Sequence, residues 1–196
     1  MKKNSSLRML AIIALVCLAF SLGHVVAAGE WKVEVVSGDR SMVITGADAA
    51  AMKAHTMKAA FLRSTGRIDG PSAYTVIPMD TILAQVGGIN PEQAIRVTAR
   101  DGYQMVYSFA QVNGGVFTYD DKGNTLRVGG PSMLLAFESE RDSADKLPRI
   151  IYGRPDGVVI TDGHFWAKSV AKIEVIKGVE DWQISLSGSE KVWLDR

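Results

Sequence analysis

The 196-residue chain contains one cysteine, Cys17, and it lies inside an N-terminal apolar run. Everything after that run has no disulfide to draw on, no thiolate nucleophile and no soft sulfur ligand for a metal. Histidine is nearly as scarce. Beyond residue 28 only His55 and His164 remain, far apart, with no His-x-x-x-His pair or cysteine cluster to make a metal site. No serine has the flanking glycines of a nucleophile elbow, and no glycine-rich phosphate loop follows a strand and opens a helix. There is no internal repeat or low-complexity tract, and charge of one sign is lacking too, with 22 basic against 21 acidic residues. That balance gives no reason to expect nucleic acid or an anionic membrane surface as a partner.

What is present begins with Lys2, Lys3 and Arg8, then the apolar run 9–22 and the small-residue end Val26-Ala27-Ala28. This is the pattern of a secretory signal peptide and predicts cleavage after Ala28, with an uncleaved membrane anchor as the alternative. The product would be exported, periplasmic or secreted, and not held in a membrane. Removing 28 of 196 residues leaves 168, and removing three basic residues leaves 19 against 21, a formal charge of −2. One domain over 29–196 is the natural count, large enough to be stable on its core alone.

The stretch 74–107 organises the rest. Pro78 suits a first helical turn, and Met79, Ile82, Leu83 and Val86 follow at i, i+3, i+4 and i+7, the apolar stripe of a short helix that Gly87-Gly88 ends. The period then changes to two: Ile95, Val97 and Ala99 alternate with Arg96, Thr98 and Arg100 up to Asp101-Gly102. A two-residue type I′ turn there pairs Arg100 with Tyr103, Thr98 with Met105 and Arg96 with Tyr107. That register places Val106 with the core face and gives the Arg/Tyr face to solvent or a ligand.

Around this centre, Trp31, Val33 and Val35 alternate as a first strand, with 42–45 as its hairpin partner. Thr45 and Asp48 cap a short helix from Ala49. Segment 56–64 reads as extended or irregular, 65–71 as a loop, 108–113 as one helical turn, 116–119 as a strand, and 138–146 as a charged mobile loop. The run 133–137 reads as a buried strand, with further strands at 150–152, 158–161, 171–175 and 182–186. The sum is an α+β, mainly-β domain with a few short helices.

Arginines are the suggestive residues. Arg63, Arg67, Arg96, Arg100 and Arg154 sit at loops or on the polar strand face, where planar guanidiniums suit a phosphate or carboxylate. His164 lies in a turn beside Phe165 and Trp166. The acids of Asp120-Asp121 and Glu138-Ser139-Glu140 fall in turns and read as solvated surface.

Several segments, taken in order, resemble the sulfite-oxidase-like molybdopterin-binding oxidoreductase domain in its small exported form. They are Tyr74-Thr75-Val76-Ile77-Pro78-Met79 with Ile82-Leu83 and Gly87, Arg100-Asp101-Gly102-Tyr103, Gly129-Gly130-Pro131, and Trp166-Ala167-Lys168-Ser169-Val170 running into 172–175. The resemblance spans roughly 31–177. It implies a mixed, mainly-β sulfite-oxidase-like fold, a molybdopterin cofactor, a cysteine thiolate on the metal and basic residues on the pterin phosphate. It also places Arg63, Ser64, Arg100, Tyr103, His164 and Lys168 around the ligand.

Two departures from that family's pattern are plain. Ser64 stands where the ligating cysteine would be, and a neutral hydroxyl is a poor substitute for a thiolate. Met133 stands where an arginine often follows Gly-Pro. The expectation is therefore a degenerate module for a small anion, a pterin-like ligand or a protein partner, with no metal ligands in the protein. The alternatives are an active molybdopterin-dependent oxidoreductase with a redox protein partner, or an accessory subunit of an exported complex. Exposed Trp166, Trp182 and Trp193 would favour a partner surface.

Overall fold

The structure is a computed structural model that describes residues 31–178 together with the strand segments 184–187 and 191–194. The expected signal segment, Trp182 and the side chain of Trp193 lie outside the described residues.

Alternation decides the first element. Strand β1 (Lys32–Ser37) buries Val33 and Val35 completely while Lys32 and Glu34 face out, and it pairs antiparallel with β2 (Arg40–Thr45) across Gly38-Asp39. The capped helix at 46–52 is short, as expected, and takes the tighter 3-10 form. The Asp48 carboxylate accepts from the Thr45 amide at 2.8 Å and its hydroxyl at 2.7 Å.

Segment 56–64 proves to be regular: β3 (His55–Leu62) pairs with β4 (Ile68–Pro78), so the expected loop 65–71 is a tight turn of Ser64–Arg67 followed at once by strand. Pro71 had argued for a loop. It is accommodated where the register between the two strands shifts near Ala59/Phe61.

Helix α1 (Met79–Ala84) buries Met79, Ile82 and Leu83, each contributing about 1.5–3 kcal/mol on burial. It packs on β4 and on the later strand Ser132–Ser139, and ends where the Gly88 amide donates to Leu83 O at 2.8 Å.

The hairpin of β5 (Gln93–Ala99) and β6 (Gln104–Ser108) exists, but its register is one residue off the expected one. Ile95 pairs with Tyr107, Arg96 with Val106 and Val97 with Met105. The loop has three residues, with the Gly102 amide donating to Ala99 O, the Ala99 amide to Tyr103 O, and Gly102 at φ +87°. This is the turn that ends in a left-handed bulge, not the two-residue type I′ turn. A one-residue slip exchanges the faces. Tyr107 and Met105 are therefore in the core, Val106 is exposed, and the expected Arg/Tyr face does not form.

Helix α2 (Phe109–Val112) is the expected single turn, capped by Ser108 and Gln111. Beyond it come β7 (Phe117–Tyr119), β8 (Thr125–Val128) and β9 (Ser132–Ser139), whose residues 133–137 are all buried, as a strand covered on both faces requires. The charged segment 138–146 is tied down, not loose: Arg141 pairs with Asp69 at 2.7 Å, and Asp142 pairs with Arg149. Then follow β10 (Arg149–Gly153), β11 (Ile160–Asp162), β12 (Val170–Lys177), β13 (Ile184–Ser187) and β14 (Lys191–Leu194).

The strands form a five-stranded sheet in the order β2-β1-β12-β5-β6, a seven-stranded sheet in the order β10-β9-β4-β3-β11-β7-β8, and the β13–β14 pair. Two pairings, β1 with β12 and β3 with β11, are parallel. The two large sheets share one apolar core that includes Val33, Val35, Ile95 and Ile173 from one and Val76, Ile77, Leu135 and Ile151 from the other. A mixed, mainly-β domain is thus what the chain forms. Among the described residues no helix is long and apolar enough to cross a membrane.

Candidate functional site

The parallel pairing of β11 with β3 builds the site. Asp162 stands opposite Leu62, so the turn after β3 and the turn after β11 emerge side by side at one end of the seven-stranded sheet. The first turn is closed by the Arg63 amide donating to Arg67 O at 2.9 Å, and it carries Arg63, Ser64 and Thr65. The second is a 3-10 turn (Gly163–Phe165), with the Asp162 carboxylate accepting from the His164 amide at 2.8 Å. Past Trp166 the chain runs beside β10, where the Ile150 amide donates to Ala167 O, and this brings Lys168 next to Arg149. Phe61, Arg63, Ser64, Thr65, Arg149, Asp162, Gly163, His164 and Lys168 line a cleft of about 340 Å³. That is the lower end of the roughly 300–1,000 Å³ range of ligand sites.

Arg149 anchors this cleft. Its side chain is only 2% exposed, pairs with the equally buried Asp142 and donates from Nη2 to Trp166 O at 3.2 Å. Its guanidinium lies 5.6 Å from the Phe61 ring centre and 5.2 Å from that of Trp166. Its Nε is buried and has no hydrogen-bond partner among the described residues, an exception to the rule that buried polar groups are paired.

Behind the cleft, Asp69 is 5% exposed and pairs with Arg63, Arg67 and Arg141. Burial alone would raise the Asp69 carboxyl, but hydrogen bonds from the three arginines outweigh it and hold the group well below its ordinary value of 3.8. A depressed folded-state value means that this stabilisation is fully present above pH 3.8, where the unfolded chain is also ionised. It is lost as the pH falls below that. Asp69→Asn should therefore lower stability at neutral pH and flatten the fall in stability between about pH 4 and pH 2. Urea titrations across that range check this, and parallel curves for the two proteins would refute it.

Lys168 makes no ion pair or hydrogen bond among the described residues. Its ammonium is pushed below the ordinary lysine value first by desolvation and then by the positive charges of Arg149 and Lys146, with Asp142 opposing. The cleft lining thus carries Arg63, Arg149 and Lys168 against the single carboxylate of Asp162, and Lys168 forms no ion pair.

Of the six residues expected to surround a ligand, Arg63, Ser64, His164 and Lys168 line this cleft, and Arg100 and Tyr103 do not. Arg100 donates from Nη2 to Asp145 O and from its amide to Ser169 O, supporting the backbone beside Lys168. Tyr103 is 51% exposed at the hairpin turn. Arg96 is paired with Glu174. Arg154 lies at a second cleft of about 530 Å³, but there it is matched by Asp156, so the larger cleft carries no comparable charge excess.

Sequence reasoning missed Arg149 and Asp69. The signal for Arg149 is a single charge heading the apolar run Ile150-Ile151-Tyr152, since a charge in a wholly buried strand must have a partner. Trp166 is buried, with Nε1 donating to Thr161 Oγ1 at 2.9 Å, so it offers no partner surface.

A thiolate-ligated molybdenum does not fit these residues. The cleft lining offers the Ser64 hydroxyl and no sulfur, and a neutral hydroxyl is a poor ligand for a soft metal. Among the described residues no group of three His, Cys, Asp or Glu side chains is placed to hold a metal ion. Compared with known proteins, the chain matches no family model and no curated protein.

Proposed function

We propose that this protein is a binding module for a small anion, a degenerate relative of the sulfite-oxidase-like molybdopterin-binding domains that has given up thiolate-held molybdenum. The observation that carries the reading is the cleft between the β3–β4 turn and the 163–168 segment. There Lys168 has no ion-pair partner and the buried Arg149 has an unpaired Nε–H, while Asp69 and Asp142 are engaged by arginines and Asp162, the one acid in the lining, accepts from the His164 amide. A compact oxyanion or carboxylate would accept from both groups, and charge-assisted hydrogen bonds of this kind are worth about 1.5–3 kcal/mol each. The motif order from Tyr74 to Val175 and the mainly-β fold support the relationship.

Sulfate tests the reading. It stabilises folded proteins generally by exclusion from their surfaces, so the informative quantity is the part of the thermal shift that saturates and that Lys168→Ala removes. At tenfold excess over Kd the specific part should be about 1.4 kcal/mol. Equal, non-saturating shifts in both proteins would refute the assignment. Metal analysis of protein from its host should find no stoichiometric molybdenum, and finding it would overturn the degenerate reading.

A further inference from the structure

We infer that Lys168 is an imine-forming lysine and that the cleft takes a small anionic carbonyl compound, an aldehyde carrying a carboxylate or phosphate. The inference rests on the anion reading above and adds the chemistry of the one cation there that has no partner.

The backbone on both sides of Lys168 is fixed. Ala167 is buried and its carbonyl accepts from the Ile150 amide at 2.8 Å. Ser169 holds a left-handed conformation at φ +54°, uncommon for a residue other than glycine. Its amide donates to Lys146 O at 3.0 Å, its carbonyl accepts from the Arg100 amide at 2.8 Å, and its hydroxyl donates to Asp145 O at 2.6 Å. Conformations of this kind persist where the surroundings over-determine them, and they cluster at ligand sites. Here the result is a lysine presented from a rigid turn into a cleft that also holds Arg63 and Arg149.

Although Asp162 lines the same cleft, no carboxylate among the described residues forms an ion pair with Lys168. Desolvation first, then the charges of Arg149, Lys146 and Arg63, favour loss of its proton, against the opposing charge of Asp142. A shift in this direction enlarges the neutral, nucleophilic fraction of the amine. The neutral amine donates its lone pair to the carbonyl carbon as the C=O π pair moves to oxygen, and one proton passes from nitrogen to that oxygen to give a carbinolamine. The second nitrogen proton then leaves with the hydroxyl as water, and the nitrogen lone pair forms the carbon–nitrogen double bond. No oxidant, reductant or metal is consumed. Arg149 and Arg63 would hold the anionic end of the ligand.

Glyoxylate, with cyanoborohydride to trap the imine, is the probe. The full chain is treated near neutral pH and the modified lysines are mapped by peptide mass spectrometry. Lys168 should be modified at least about tenfold faster than the exposed Lys58 and Lys122, the smallest gain expected from a cleft that concentrates an anion. Sulfate should protect it, and propionaldehyde, which lacks the anion, should show no such preference. Labelling of Lys168 no faster than that of Lys58 overturns the proposal. If sulfate still gives its saturable thermal shift in that case, the anion site stands and only the imine chemistry falls. Loss of both removes both readings. Equal selectivity with propionaldehyde overturns the anionic class of ligand.

Discussion

Replacing Arg149 with methionine should cost the fold about 3–5 kcal/mol, because the substitution strands Asp142 as a buried carboxylate with no counter-ion. The two side chains are 2% and 5% exposed, so solvent cannot substitute for the missing guanidinium. The Trp166 carbonyl loses a donor at the same time, and the rings of Phe61 and Trp166 lose the cation beside them. Adding Asp142→Asn should recover part of the loss, since a neutral amide is far cheaper to bury than a carboxylate. Denaturant unfolding of the single and double variants measures both quantities. A loss below about 1 kcal/mol for the single variant would show that Asp142 is solvated after all.

Gly114→Ala should cost about 3 kcal/mol or more, for two separable reasons. Gly114 has φ +85°, and a Cβ there would stand 1.8 Å from Pro131 O, deep inside van der Waals contact with backbone that cannot swing aside. Gly129 provides the control. It has φ +86° with nothing within 4 Å of its would-be Cβ, so Gly129→Ala should show the conformational strain alone, about 1 kcal/mol. The difference between the two melting curves is the steric part. Equal effects would mean that the 113–116 connection and the start of β9 are not packed as described.

The places where sequence and structure part company have a common cause. Elements whose period and punctuation agree were legible: α1 with its 79, 82, 83, 86 stripe and glycine stop, β1 with its alternation, and the buried run of β9. The β5–β6 hairpin was legible as an element but not in register, because Asp-Gly serves a two-residue turn and a three-residue turn with a bulge equally well. That single residue moved Tyr107 from a supposed ligand face into the core and Val106 out of it.

At the cleft, Arg63, Ser64, His164 and Lys168 were named from sequence and do come together, through a parallel β3–β11 pairing that nothing local in either strand encodes. Arg149 and Asp69 were not named, since a charge in one sequence reads as surface until its partner is known. Their partners are separated from them by turns whose closure only the fold reveals: Asp142 lies seven residues before Arg149, and Arg141 comes from a different hairpin than Asp69. The same blindness made 138–146 look mobile.

The anion assignment turns on one atom pair more than any other, the Nε–H of Arg149, because it is buried and unanswered by protein. Arginine Nε–H groups give their own signals in a ¹H–¹⁵N spectrum, and a protected one such as Arg149 should be resolved from the exposed ones. Titration with sulfate at constant ionic strength should move the Arg149 signal along a saturable curve, with the Lys168→Ala protein needing markedly more sulfate to reach the same point. An Arg149 Nε–H signal that stays fixed while sulfate is added, or that drifts linearly like those of the exposed arginines, would contradict the account.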